Sequence, residues 1–199
     1  MNFFTNYFGA VQKISRTLDY NLVLTYVEIL NEVRKNSGRV FVLGMGGSAA
    51  NASHMVNDLR KICGIEAYAP TDNIAEFSAS CNDEGLGSYF PRWLETSKIS
   101  NKDVIFILSV GGGSQENNVS LELVNAIASA KSVGARILGI VGRDGGEAYK
   151  NSTEVIIVPT ITLDLETPLV ESFQAVIWHG IVFHPNLKLK PSKWESVFE

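Results

Sequence analysis

The chain has 199 residues, with Lys+Arg 17 against Asp+Glu 21 and 45% apolar residues. At ~150 residues per domain this reads as one compact domain, with too much apolar content for intrinsic disorder. A formal charge of −4 supplies no electrostatic footprint for nucleic acid, and no run approaches the ~18 uncharged apolar residues of a membrane span.

The segment from Met1 to Ala10 carries no Lys or Arg, which is not the pattern of a secretory signal. Cys63 and Cys81 make no disulfide framework and fit a reducing cytoplasm. Along residues 1–37, Phe4, Tyr7, Phe8, Val11, Ile14 and Leu18 recur at helical spacing, then Leu24, Val27, Leu30 and Val33, with Gly38 as a stop. This helical arm reads either as two core helices or, from the size of its terminal aromatic groups, as a contact with another subunit.

From 38 to 185 the texture changes to an α/β core. Runs at 39–43, 65–69, 104–108, 136–141 and 154–158 are nearly all apolar, as expected of strands buried on both faces. Helical stretches lie between them at about 48–62, 73–96, 115–133 and 144–150. The alternation predicts a parallel sheet in a three-layer α/β/α domain. A last helix is expected from Thr167 as cap, with Pro168 in its first position, to Phe183, with Pro185 beyond its end. The tail, 186–199, holds Trp194 and Phe198 and is expected to pack on something.

In such sheets ligands bind at the carboxyl ends of the strands, and two glycine loops fall there. Gly44-Met-Gly-Gly-Ser-Ala-Ala50 enters a helix, with Gly46, Gly47 and the Ser48 hydroxyl available to an anion. It lacks the dinucleotide fingerprint and the P-loop Lys, so it reads as an anion site or as a tight turn with close helix packing. Ser109-Val-Gly-Gly-Gly-Ser-Gln115 sets Ser109 and Ser114 around Gly111, Gly112 and Gly113 and is the better phosphate cradle. Neither loop contains Lys or Arg, which suits the phosphate of a sugar better than a triphosphate.

His54 and Asp58 share a helix face at i, i+4; alone, such a pair is more often a surface hydrogen bond than a ligand site. His179 lies in an apolar stretch, where a lone His is more often core, and Glu171 precedes it by about two helical turns. If the last helix packs near the first loop, His54, Asp58, Glu171 and His179 converge as a set able to bind a Zn²⁺-like ion or to work as acid and base. His184, beside Pro185, reads as structural.

Several segments resemble one family. Gly44-Met-Gly-Gly-Ser-Ala-Ala-Asn-Ala-Ser-His54 resembles the GNGGSAADAxH signature of phosphoheptose isomerases, in the sugar isomerase (SIS) domain superfamily. Asn82-Asp83-Glu84-Gly85 resembles the family's ND-x-G turn, and Ser109 to Ser114 its STSGNS phosphate loop. Gly139 to Gly146 resembles G-x-T-G-R-D-G-G, and Thr167 to His179 the helix TxRIQExHxxxxH. The resemblance implies a flavodoxin-like, five-stranded parallel sheet and a cytoplasmic homotetramer with active sites between subunits. It implies isomerisation of sedoheptulose 7-phosphate to D-glycero-manno-heptose 7-phosphate, toward heptose biosynthesis. It carries a metal set, read as zinc, onto His54, Asp58, Glu171 and His179, with Asp58 as base and His179 as acid. Substrate contacts carry onto Gly46, Gly47, Ser48, Asn82, Asp83, Ser109, Gly111, Gly112, Ser114 and Glu171.

The sequence also departs from that pattern. Asp58 stands for the family's Glu and Glu171 for its Gln; Val110, Gly111 and Gly113 replace Thr, Ser and Asn; Leu169 replaces an Arg. A non-catalytic phosphosugar-binding or protein-binding SIS module, or an isomerase of another sugar phosphate, are the alternatives.

Overall fold

The structure is a computed structural model and describes residues 2–152, 154–194 and 197. Phe198 therefore lies outside the described residues, while Trp194 is exposed. Two helices, α1 (Phe3–Thr17) and α2 (Tyr20–Lys35), lead into the alternating core. There β1 (Arg39–Leu43), α3 (Gly47–Lys61), β2 (Glu66–Tyr68), α4 (Ile74–Glu84), α5 (Tyr89–Thr96) and β3 (Val104–Ser109) follow in turn. After them come α6 (Leu121–Val133), β4 (Arg136–Val141), α7 (Gly146–Asn151), β5 (Val155–Ile157) and α8 (Glu166–Val182).

The five strands form one parallel sheet in the order β2-β1-β3-β4-β5. Alternate side chains feed two separate cores. Val40, Val42, Val104, Phe106 and Leu108 pack under α2, α3 and α8, whereas Phe41, Leu43, Ile105 and Ile107 pack under α5 and α6. Both faces are covered, which is why the strands carry no polar alternation.

The second helix is part of this core. Tyr26 is fully buried, and its hydroxyl lies 2.6 Å from the carbonyls of Gly139 and Glu154, accepting in turn from the Gly139 N–H at 3.0 Å. It ties α2 to β4 and the approach to β5; burial pushes its phenol pKa upward. The first helix is different: Phe3, Phe4 and Phe8 are exposed, and Phe4 and Phe8 stack on each other.

Three helix expectations need correction. The stretch 73–96 is two helices separated at Gly85, whose φ is 85°. The stretch 115–133 becomes helical only at Leu121, because Ser114 and Val119 pair backbone to backbone and Ser120 takes a φ of 52°. The last helix starts at Glu166, after a short 3-10 turn at Leu163–Leu165, with Leu165 and not Thr167 in the cap position.

The chain leaves β1 to one side toward β2 and then returns to the other side as β3. A parallel sheet opens a crevice at such a reversal, at the carboxyl ends of the strands.

Candidate functional site

A cavity of about 290 Å³ sits at this reversal, lined by Met45, Ser48, Ser109, Gly111, Arg143 and Glu171 among others. Both glycine loops reach it, but they are built differently. The first passes straight from β1 into α3 and is locked to α8 by buried polar groups. Gln174, fully buried, donates from Nε2 to Ser48 Oγ at 3.1 Å and accepts from Asn51 Nδ2 at 3.0 Å. Asn51 also donates to the Glu171 carbonyl at 2.9 Å. A Cβ on Gly47 would sit 2.5 Å from Glu171 Oε2, so the bare glycine leaves room for that carboxylate over the start of α3.

The second loop is stapled to the β4–α7 turn. Glu147 N–H donates to the Gly113 carbonyl at 2.9 Å and Ala148 N–H to the Gly112 carbonyl at 3.0 Å. Gly112 has φ +71°, and a Cβ there would run into the Gly145 carbonyl. Ser109 Oγ accepts from the Gly112 N–H at 3.0 Å, which leaves its own proton to offer. Ser114 faces the other way. Its hydroxyl accepts from the Asn117 N–H at 3.2 Å within the following turn, and it lines a second, outer cavity of about 480 Å³.

The candidate acid–base residues stand on the two helices that flank the first loop. His54 Nε2 and His179 Nε2 each lie 3.8 Å from Asp58 Oδ2. Asp58 is 11% exposed at its side chain, His54 57% and His179 41%, so a buried carboxylate is presented between two reachable imidazoles. His179 Nδ1 lies 2.8 Å from the Ala175 carbonyl; in the neutral ring the proton belongs there, leaving the Nε2 lone pair toward Asp58. Buried Trp178 stacks on the His179 ring at 3.6 Å and holds its plane. Asn57 Nδ2 donates to Asp58 Oδ1 at 2.8 Å and fixes the carboxylate.

The three ligand atoms lie within 4.8 Å of one another. Two bonds of ~2.0–2.1 Å at a tetrahedral angle place ligands about 3.4 Å apart, so the donor set fits a dication with a small inward shift. Glu171 is not in this group; it lines the cavity beside Ser48. Asn82 and Asp83 are both exposed in the last turn of α4, where Asn82 Nδ2 donates to Asp83 Oδ1 at 2.8 Å.

Sequence reasoning missed Gln174, Glu166 and Arg143. Arg143 did carry a signal: it is the one Lys or Arg in the loops that follow β1, β3, β4 and β5.

A SIS domain family model matches residues 3–142. A phosphoheptose isomerase of Geotalea daltonii is 30% identical over 177 residues, 84% of this chain and 86% of that protein. Lincomycin biosynthesis protein LmbN of Streptomyces lincolnensis is 30% identical over 164 residues, 77% of this chain, and the match spans 58% of that longer protein. The solved phosphoheptose isomerase of Neisseria gonorrhoeae shares the fold, with a TM-score of 0.77 at 21% identity over 90% of this chain and 93% of that one.

Proposed function

The chain belongs to the SIS domain family, among the phosphoheptose isomerases, and on that premise we propose that it interconverts sedoheptulose 7-phosphate and D-glycero-manno-heptose 7-phosphate. The observation that carries the chemistry is the Asp58 carboxylate held 3.8 Å from both imidazole Nε2 atoms, on the two helices whose starts reach the strand-end cavity through Ser48 and Glu171.

The reaction moves a carbonyl by one carbon. Asp58 takes the C1 proton of the ketose, and the electron pair forms the C1–C2 double bond of an enediol. His179 Nε2, in its protonated form, supplies a proton to the C2 oxygen, so that no free alkoxide develops. Loss of the proton on O1 re-forms a carbonyl at C1, and a proton returned to C2 completes the aldose. Ser109, the loop at Gly111 and Gly112, and Ser114 from the outer side hold the phosphate end; Ser48 and the Gly46–Gly47 backbone meet the sugar beside Glu171, which accepts from its hydroxyls. The same side-chain atoms of His54, Asp58 and His179 would alternatively hold a divalent ion, zinc by its N/O donor set, and such an ion would polarise the substrate carbonyl in place of the His179 proton.

Purified protein incubated with a panel of ketose phosphates and followed by NMR is the test. The aldose of the heptulose phosphate is expected. Turnover of a different ketose alone would reassign the substrate, and saturable binding with no turnover of any would make the chain a phosphosugar-binding module.

The same reading places the exposed aromatic groups of α1 and Trp194 in contacts of a homotetramer; a monomer by light scattering at micromolar concentration would contradict it. No helix among the described residues is long and apolar enough to cross a membrane. A cytoplasmic location is supported by two free thiols, of which Cys63 is buried and pushed up to about 11 by that burial.

A further inference from the structure

The inner and outer cavities meet at Gly111, Val119, Ser120 and Arg143. Arg143 sits in the β4–α7 turn in a left-handed conformation, φ 52°, and its stem passes over the phosphate loop, with Cδ 3.8 Å from where a Cβ on Gly111 would be. Its Nε donates to Glu166 Oε2 at 2.9 Å. Glu166 is only 6% exposed, and its other oxygen accepts from Thr160 Oγ1 at 2.7 Å. A buried, fully partnered carboxylate therefore grips the guanidinium by one nitrogen. Among the described residues the two Nη groups have no hydrogen-bond partner, and the side chain is 65% exposed.

The phosphate loop needs such a group. Its Gly112 and Gly113 carbonyls and the Gly112 N–H are already engaged. The inner cavity also contains the Glu171 carboxylate, which repels a phosphate dianion. Lys150, the other cation of the outer cavity, is paired with Glu147 at 2.9 Å.

We propose that Arg143 binds the substrate phosphate through its free Nη groups where the two cavities meet, and that Arg143 and Glu171 together fix which way the sugar lies. A sugar monophosphate has one anionic end and one hydroxyl-bearing end. The guanidinium attracts the first with planar, charge-assisted hydrogen bonds. The carboxylate, which can only accept hydrogen bonds, rejects the anion and takes the hydroxyls. Glu166 is a positioning residue that aims the guanidinium. This inference rests on the sugar-phosphate reading above and adds a charged partner and a polarity to it.

The test measures inorganic phosphate affinity by thermal shift, and KM and kcat on the turned-over sugar phosphate. Arg143→Gln alone leaves Glu166 buried and unpaired, so Arg143→Gln/Glu166→Gln is measured beside it, with Ser109→Ala as reference. The double variant is expected to weaken phosphate binding and raise KM about 10- to 100-fold, the size of lost charge-assisted hydrogen bonds, with kcat within about twofold. Glu171→Gln is expected to tighten phosphate several-fold; unchanged affinity there would overturn the orientation half of the proposal. A folded double variant that binds phosphate as wild type does, while Ser109→Ala binds it more weakly, would overturn the role of Arg143 and leave the sugar-phosphate reading standing. Wild type that binds neither inorganic phosphate nor any sugar phosphate would overturn both.

Discussion

The two glycine loops do the same topological job with different mechanical properties. The β1–α3 loop is short and anchored from below by Gln174 and Asn51, so Ser48 and the start of α3 move only if α8 moves. The β3–α6 loop runs from Val110 to Ser120 before its helix begins and is held from the side, by N–H groups of the β4–α7 turn. The first loop is thus coupled to the helix that carries His179, and the second to the turn that carries Arg143. On the proposed function, anchoring of chemistry and anchoring of phosphate fall to two sets of contacts, and this separation is open to mutation.

The largest effect is expected from Gly112→Ala. The new methyl meets backbone, the Gly145 carbonyl, in a left-handed conformation, and neither can yield. Loss of roughly 2–4 kcal/mol in chemical denaturation is expected, from the left-handed penalty plus the clash, with phosphate binding lost. Gly47→Ala is the counterpart in the first loop. There the obstacle is the end of the flexible Glu171 side chain, so a stability change under about 1 kcal/mol is expected. Equal damage from the two substitutions would break the comparison.

Gln174→Leu should come next. It removes the fully buried link between Ser48 and Asn51, leaving polar groups unpaired at a cost of about 1–3 kcal/mol. Because α8 carries His179, kcat should fall along with stability. Ser109→Ala should instead raise KM with kcat nearly held, by about 1.5–3 kcal/mol for a lost hydrogen bond to a charged group. An equal split of both variants between kcat and KM would show that the two anchors are not separate.

The smallest effect tests a contact remote from both loops. Burial pushes the Asp103 carboxyl up, but the Arg39 guanidinium at 2.8 Å and the Ser100 and Arg39 N–H groups outweigh it and hold it below its ordinary value. A lowered carboxylate pKa stabilises the fold above the unfolded value, near ~3.9, and that gain is lost as pH falls through the lowered one. Thermal midpoints of wild type should therefore drop more steeply below about pH 4 than those of Asp103→Asn.

The sheet was legible because buried parallel strands are apolar on both faces: β1 at 39–43 and β4 at 136–141 match to the residue. The trio His54, Asp58 and His179 was legible through i, i+4 spacing and the expected packing of α8 on α3. What escaped has physical reasons. A backbone bridge between Ser114 and Val119 has no hydropathy signature, so the start of α6 was misplaced. Glu171 shares a helix with His179, but its carboxylate lies over Gly47 beside Ser48 and not among the imidazoles. The roles of Gln174 and Glu166 depend on burial against distant segments, which local pattern does not encode.

The central claim is that Asp58 and His179 perform the proton transfers of an isomerase. Its most direct test is kcat for wild type, Asp58→Asn and His179→Ala on the heptulose phosphate, with folding of each variant checked by circular dichroism. The account predicts a fall of about 10²–10⁴ for each variant, the usual loss for a general acid or base, with the sugar phosphate still bound. Turnover by both variants at the wild-type rate would contradict it.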